Sequence, residues 1–171
     1  MLWHTVHKTL IREINKQDEK TINKFYKGLK LSNKLQSIFP RLGLKITKKL
    51  FKEVRAKVFG ESVQFMISGG SYLSYDASYV INGIGYPLFN GYGMTEIGIT
   101  SVELSYNANT RIKRFIGLPF ETVEYKINED NQLLVKSDGI CKTIITKDSV
   151  VDINHSEYFN TFDWGEWGGI A

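Results

Sequence analysis

Apolar residues follow two different periods along this chain. Up to Gly60 they recur at steps of three and four: Trp3, Val6, Leu10 and Ile14 share one face of a helix, and Ile22, Phe25, Tyr26 and Leu29 resume the pattern after a polar interval. Pro40 and Gly43 are the punctuation expected between elements. Beyond them Ile46, Leu50, Val54 and Val58 step by four, which predicts a second amphipathic helix ending near Gly60. Such helices gain most of their stability by docking the apolar stripe, and the segment that follows is the natural partner.

After Gly60 the period shortens. "VQFMI" reads as a short buried strand. Ser74 is placed to cap a helix over "YDASYVING", with Asp76 in its positive first turn, and Gly83 and Gly85 end it. "YPLFN" is the next strand. A strand–helix–strand unit with a right-handed crossover favours parallel pairing, and ligands in such sheets sit at the carboxyl ends of strands. Two glycine-bearing turns, "SGGS" and "NGYGMTE", are expected at those ends. From Gly98 onward "ITSVELS", "VEYKIN", "QLLVKS" and "KTIIT" read as strands, with "NEDN" as a hairpin turn. The expected fold is α/β: a basic helical segment over 1–60, a strand–helix–strand parallel core over 61–103, and a mostly antiparallel β portion over 104–171.

Composition narrows the class. A chain of 171 residues, 42% hydrophobic and 23% charged, suits one ordinary globular domain with a core. No apolar run reaches the roughly 20 residues that cross a bilayer, and the N-terminus lacks a secretory pattern, so a cytoplasmic location is the expectation. Cys141 is the single cysteine and reads as a packed residue; Trp164 and Trp167 likewise read as packing residues. His4, His7 and His155 have no metal-ligand spacing. The net charge of +4 hides an asymmetry, because residues 1–60 hold 15 Lys/Arg against 4 Asp/Glu and residues 61–171 hold 7 against 14. A basic segment of this kind is either a solvated face or an attractor of acidic partners, here an anionic membrane rather than nucleic acid.

The candidate chemistry lies in the glycine segments. Gly69, Gly70, Gly91 and Gly93 permit close ligand approach or positive φ; Ser71 and Thr95 offer hydroxyls, Glu96 a hard oxygen for magnesium, and Tyr92 an aromatic face for a base. On chemistry alone two tight solvated turns explain them equally well. Their order adds more. "MISGGSYLSYDASYVINGIGYPLFNGYGMTEIG" resembles the adenylate-forming superfamily, particularly bacterial long-chain fatty-acid–CoA ligases. The resemblance continues through "IGLPFETVEYKINEDNQLLVKS" and reaches "YFNTFDWGEWGG".

That resemblance implies ATP-dependent formation of an acyl-adenylate and then of a thioester with coenzyme A, on a long-chain fatty acid. It implies that Thr95 contacts a nucleotide phosphate, that Glu96 holds Mg2+, and that Tyr92 lies against adenine between Gly91 and Gly93. Gly69, Gly70 and Ser71 would line the adenine and acyl side, and Asp163 would accept both ribose hydroxyls of ATP or AMP. Phe162 departs from the pattern, standing where a glycine is expected before the ribose aspartate. The family's phosphate-binding loop and the C-terminal lysine are absent from these residues, so the expectation is a piece of a longer ligase, inactive alone and self-associating through an uncovered edge. The alternative is a non-catalytic nucleotide- or membrane-binding module derived from the same family.

Overall fold

The computed structural model describes residues 2–154 and 156–168, so His155 lies outside the described residues. The fold is mixed α/β and divides into two compact units, one of Met1–Asn90 with Glu103–Ile116, the other of Gly91–Val102 with Gly117–Ala171.

The first unit opens with four helices: α1 (Leu2–Asn15), α2 (Glu19–Ile38), α3 (Pro40–Leu50) and α4 (Lys52–Val58). Asp18 starts α2 by accepting the Thr21 backbone N–H at 3.0 Å. Strand β1 (Met66–Ser68) is joined through helix α5 (Tyr75–Gly83) to strand β2 (Leu88–Met94), and β1 pairs with β2 in parallel, as expected. Ser74 caps α5 on the Ala77 N–H, and Gly85 turns the chain with φ +90. The core gathers on α5: Ala77, Val80, Ile81, Ile84, Tyr86 and Leu88 pack with Leu10, Phe25, Leu29 and Phe51 from the helices. A short helix, α6 (Ala108–Ile112), completes the unit; its single turn is too brief to leave a periodic signal.

Three details correct the sequence reading. Pro40 marks the expected break, since α2 ends and α3 begins around Phe39, but Gly43 does not interrupt its helix. Pro40 takes the first helical position, where its missing N–H costs nothing, and Gly43 lies inside α3. Along α3–α4 the predicted row holds at Val54 and Val58, which pack half-buried against the core, but not at Ile46 and Leu50, which are exposed; the fully buried set lies one residue along, at Gly43, Thr47, Phe51 and Arg55. A Cβ on Gly43 would meet the α2 backbone at 2.5–2.6 Å, so the two helices touch main chain to main chain. Polar groups fill the rest of the seam: Ser32 bonds Thr47 at 2.7 Å and donates to the Gly83 carbonyl at 2.7 Å, while Arg55 donates to the Gly85 carbonyl. Finally, β1 is not buried on both faces, because Phe65 and Ile67 are exposed.

The second unit is antiparallel. The end of β2 folds back on β3 (Gly98–Val102) with a register shift at Tyr92 and Gly93. Strands β4 (Val123–Ile127), β5 (Gln132–Ser137) and β8 (Phe159–Trp164) form a sheet in the order β4-β5-β8, and β6 (Thr143–Ile145) pairs with β7 (Val150–Asp152). The "NEDN" turn joins β4 to β5, with Asn131 at φ +59. Ile97, Val123, Leu133, Val135 and Ile140 are its buried apolar residues. Trp164 and Trp167 do not pack; both rings are exposed, because Trp164 sits on an edge strand and Trp167 follows it in irregular chain. Cys141 is half-buried.

Candidate functional site

The second glycine segment is a strand rather than a turn. Gly91, Tyr92 and Gly93 lie within β2, and the reversal comes later, at residues 95–97. The reason is local: a Cβ on Gly93 would sit 2.3 Å from the Gly98 carbonyl oxygen, so β3 can close on β2 only where a side chain is missing. Thr95 and Glu96 form the tip of this hairpin. Ile97 is buried beneath it and donates its N–H to Met94 O at 3.2 Å, while the Cys141 N–H anchors the Glu96 carbonyl at 2.7 Å. The Thr95 side chain is exposed and Glu96 half-buried.

Asp163 comes to this hairpin from β8. The Tyr92 hydroxyl donates to Asp163 Oδ2 at 2.5 Å, joining residues 71 positions apart. Burial, and then the hydrogen bond to the Asp163 carboxylate, push the Tyr92 phenol well above its usual range, so it stays a proton donor at neutral pH. Behind Tyr92 lies a hydroxyl chain: buried Thr100 is 3.2 Å from the Tyr92 carbonyl and 2.5 Å from the Tyr125 hydroxyl, its single proton serving one of them at a time, and Tyr125 donates to Ser101 at 2.9 Å.

Phe162 keeps the backbone that a glycine would favour, with φ +59 and its ring in solvent. Its N–H is taken by Asn160 Oδ1 at 2.8 Å and that of Asp163 by Thr161 Oγ1 at 3.2 Å, while Thr161 itself is buried and tied to the Leu133 carbonyl at 2.8 Å. The turn that presents Asp163 is therefore held by side-chain oxygens on both neighbouring amides.

Gly69, Gly70 and Ser71 belong to the first unit. They leave the carboxyl end of β1 as an exposed loop, where Gly70 has φ +70 and open space around it. Sequence reasoning missed the residue that secures this loop. Arg114, itself at φ +65, bonds the Tyr72 hydroxyl at 2.5 Å and reaches the Leu73 carbonyl at 3.5 Å; its own carbonyl accepts from Asn90 at 2.9 Å. A signal was present, since three of the seven basic residues after Gly60 fall in the four positions from Arg111 to Arg114.

Among the described residues no three His, Cys, Asp or Glu side chains gather as a metal site. Glu96 is a lone carboxylate. One carboxylate suits magnesium when nucleotide phosphates and water supply most of the octahedron, so the residue present fits that ion.

No protein-family model matches the chain, and no curated protein matches it. Comparison with solved structures does find a shared fold. An Arg-to-Lys variant of E. coli MenE with bound OSB-AMS superposes over 70% of this chain with a TM-score of 0.52 at 19% identity. Coronafacic acid ligase from Pectobacterium brasiliense (20% identity, 69% of this chain and 25% of that one, TM-score 0.45) and the Klebsiella oxytoca NpsA N-terminal subdomain with 3-hydroxyanthranilyl-AMSN (18%, 70% and 36%, 0.44) are looser likenesses. The MenE comparison carries the shared α/β fold. The chain spans 26% of that MenE chain.

Proposed function

We propose that these residues form the nucleotide side of an ATP-dependent acid–thiol ligase, one that activates a carboxylic acid as its acyl-adenylate and passes the acyl group to coenzyme A. The observation that carries this reading is the Tyr92–Asp163 hydrogen bond. Two segments singled out separately in the sequence, "NGYGMTE" and "TFD", meet in one unit through their most chemically specific side chains. A long-chain fatty acid is the preferred substrate class, with aryl or amino acids as the alternatives.

In this reading the substrate carboxylate attacks the α-phosphorus and pyrophosphate leaves, so the protein's task is to position groups and neutralise charge. The Asp163 carboxylate accepts from both ribose hydroxyls, and Tyr92, locked in its protonated form, fixes the rotamer that does so. The Thr95 hydroxyl at the hairpin tip donates to a phosphate oxygen. Magnesium held by Glu96 and the phosphates would supply the charge neutralisation that a lone hydroxyl cannot.

Binding separates this reading from its competitors. The 171-residue chain should bind AMP weakly by isothermal titration, with affinity falling roughly tenfold or more in Asp163→Ala, the loss of a charge-assisted pair. No AMP binding by a folded chain would refute the nucleotide assignment. Pyrophosphate release with ATP, magnesium and palmitate should be absent, because losing even one oxyanion-type contact costs roughly a hundredfold in rate and two are missing from these residues. Turnover that vanishes in Glu96→Ala would instead show a complete site within them.

A further inference from the structure

The α2–α3 hairpin carries an apolar surface that stays largely exposed among the described residues. Leu42, Ile46 and Leu50 descend α3 in four-residue steps and are 57%, 42% and 49% exposed. On α2, Leu31 and Ile38 are 54% and 56% exposed, with half-buried Leu35 between them. Two close approaches lay these rows side by side. A Cβ on Gly28, which begins the α2 row, would sit 3.8 Å from Leu50 Cδ2; a Cβ on Gly43 would sit 2.6 Å from the Leu35 carbonyl oxygen.

Charge borders the band. At about 100° per residue, the buried seam of Gly43 and Thr47 lies on one side of the Leu42 row, and Lys45 and Lys49 lie on the other. From Glu19 to Leu50 the sequence holds nine basic residues and one acidic one. Among the described residues the ion pairs are those of Glu13 with Arg12 and Lys16, so none of the α2 or α3 lysines has a carboxylate within 4.0 Å.

We propose that this face docks on an anionic lipid surface, with the aliphatic band entering the boundary between headgroups and acyl chains and the lysines meeting lipid phosphates. A second copy of the chain would bring the same excess of positive charge to the contact and be repelled. A bilayer of acidic lipids offers apolar depth and negative charge together, and an amphipathic basic helix pair lying in the interface uses both. The inference stands independently of the ligase reading, since it rests on none of the residues assigned to nucleotide.

Cosedimentation with vesicles tests it. At about 0.1 M salt the chain should pellet with phosphatidylcholine vesicles containing phosphatidylserine and stay in solution with phosphatidylcholine alone. Leu42→Ser, Ile46→Ser and Leu50→Ser combined should cut the bound fraction about tenfold, because the inserted apolar area is lost while the charge remains. Lys45→Glu with Lys49→Glu should lower binding at low salt by a similar factor. All five positions are exposed, so circular dichroism should show both variants folded. Failure to bind acidic vesicles overturns the proposal. Full retention by the triple serine variant overturns it too, by leaving a purely electrostatic contact. A dimer in light scattering that the serine changes dissolve would assign the band to self-association instead.

Discussion

Phe162 holds a left-handed backbone with its ring in solvent, so its side chain meets strain with no compensating burial. That conformation costs an L residue roughly 1–2 kcal/mol, and glycine returns about half of the gain through its freer unfolded chain. Phe162→Gly should therefore raise stability by about 0.5–1 kcal/mol in a urea titration, whereas Phe162→Ala, which keeps a Cβ, should not. The sequence marked this position as a departure from the glycine expected there; the backbone kept the turn although the letter changed. Tyr92 makes a second prediction at this scale. Its folded pKa is raised, mainly by burial, above the value of about 10 for an unfolded tyrosine. Above pH 10 the unfolded chain loses the proton that the folded chain retains, so stability is full below that pH and declines as pH rises past it. Stability measured between pH 9 and 11 should fall less steeply in Tyr92→Phe, and equal slopes would remove the burial argument.

Gly43 and Arg111 decide how the elements of the first unit fit together. Gly43→Ala drives a methyl into the α2 backbone at 2.5 Å, and overpacking of this kind costs about 1–3 kcal/mol, visible as a lowered melting midpoint. Arg111 is fully buried; it donates to Asn82 Oδ1 at 2.6 Å, Ser105 O at 3.1 Å and Gln36 Oε1 at 3.1 Å, linking α2, α5 and α6. Burial pushes its pKa down to about 10, which still leaves a cation at neutral pH. Arg111→Lys keeps the charge but not the fork of donors, and a destabilisation of roughly 2 kcal/mol or more should follow in the same melt. These residues also explain what the pattern of apolar positions could and could not foretell. It gave the helices and the Ser74 cap, because spacing and capping chemistry are local. It placed Val54 and Val58 on the core but missed Thr47 and Arg55, because hydropathy assigns those two to the surface while hydrogen bonds from other elements take them inside. The β8 strand escaped because "YFNTFDW" mixes polar and apolar residues around a register shift.

At the scale of the whole molecule the charge asymmetry seen in the sequence follows the two units, with 18 basic and 7 acidic residues in the first and 4 and 11 in the second. Their interiors differ too. The first unit buries a cluster of eleven apolar residues, while the two-stranded β6–β7 ribbon of the second has hardly any buried side chain. Such a ribbon opens at little cost, so peptides covering 143–152 should exchange their amides at the earliest times in hydrogen exchange, and those of α5 last. Protection of 143–152 equal to that of α5 would contradict this. One buried group reaches beyond stability. Asn82 precedes Gly83, a pairing prone to spontaneous deamidation in a loose chain, yet here its amide donates to Ser78 O and its oxygen accepts from Leu88 N and Arg111. Folding therefore shields a chemical clock. Isoaspartate and aspartate accumulating at position 82 on storage record the share of time the chain has spent unfolded.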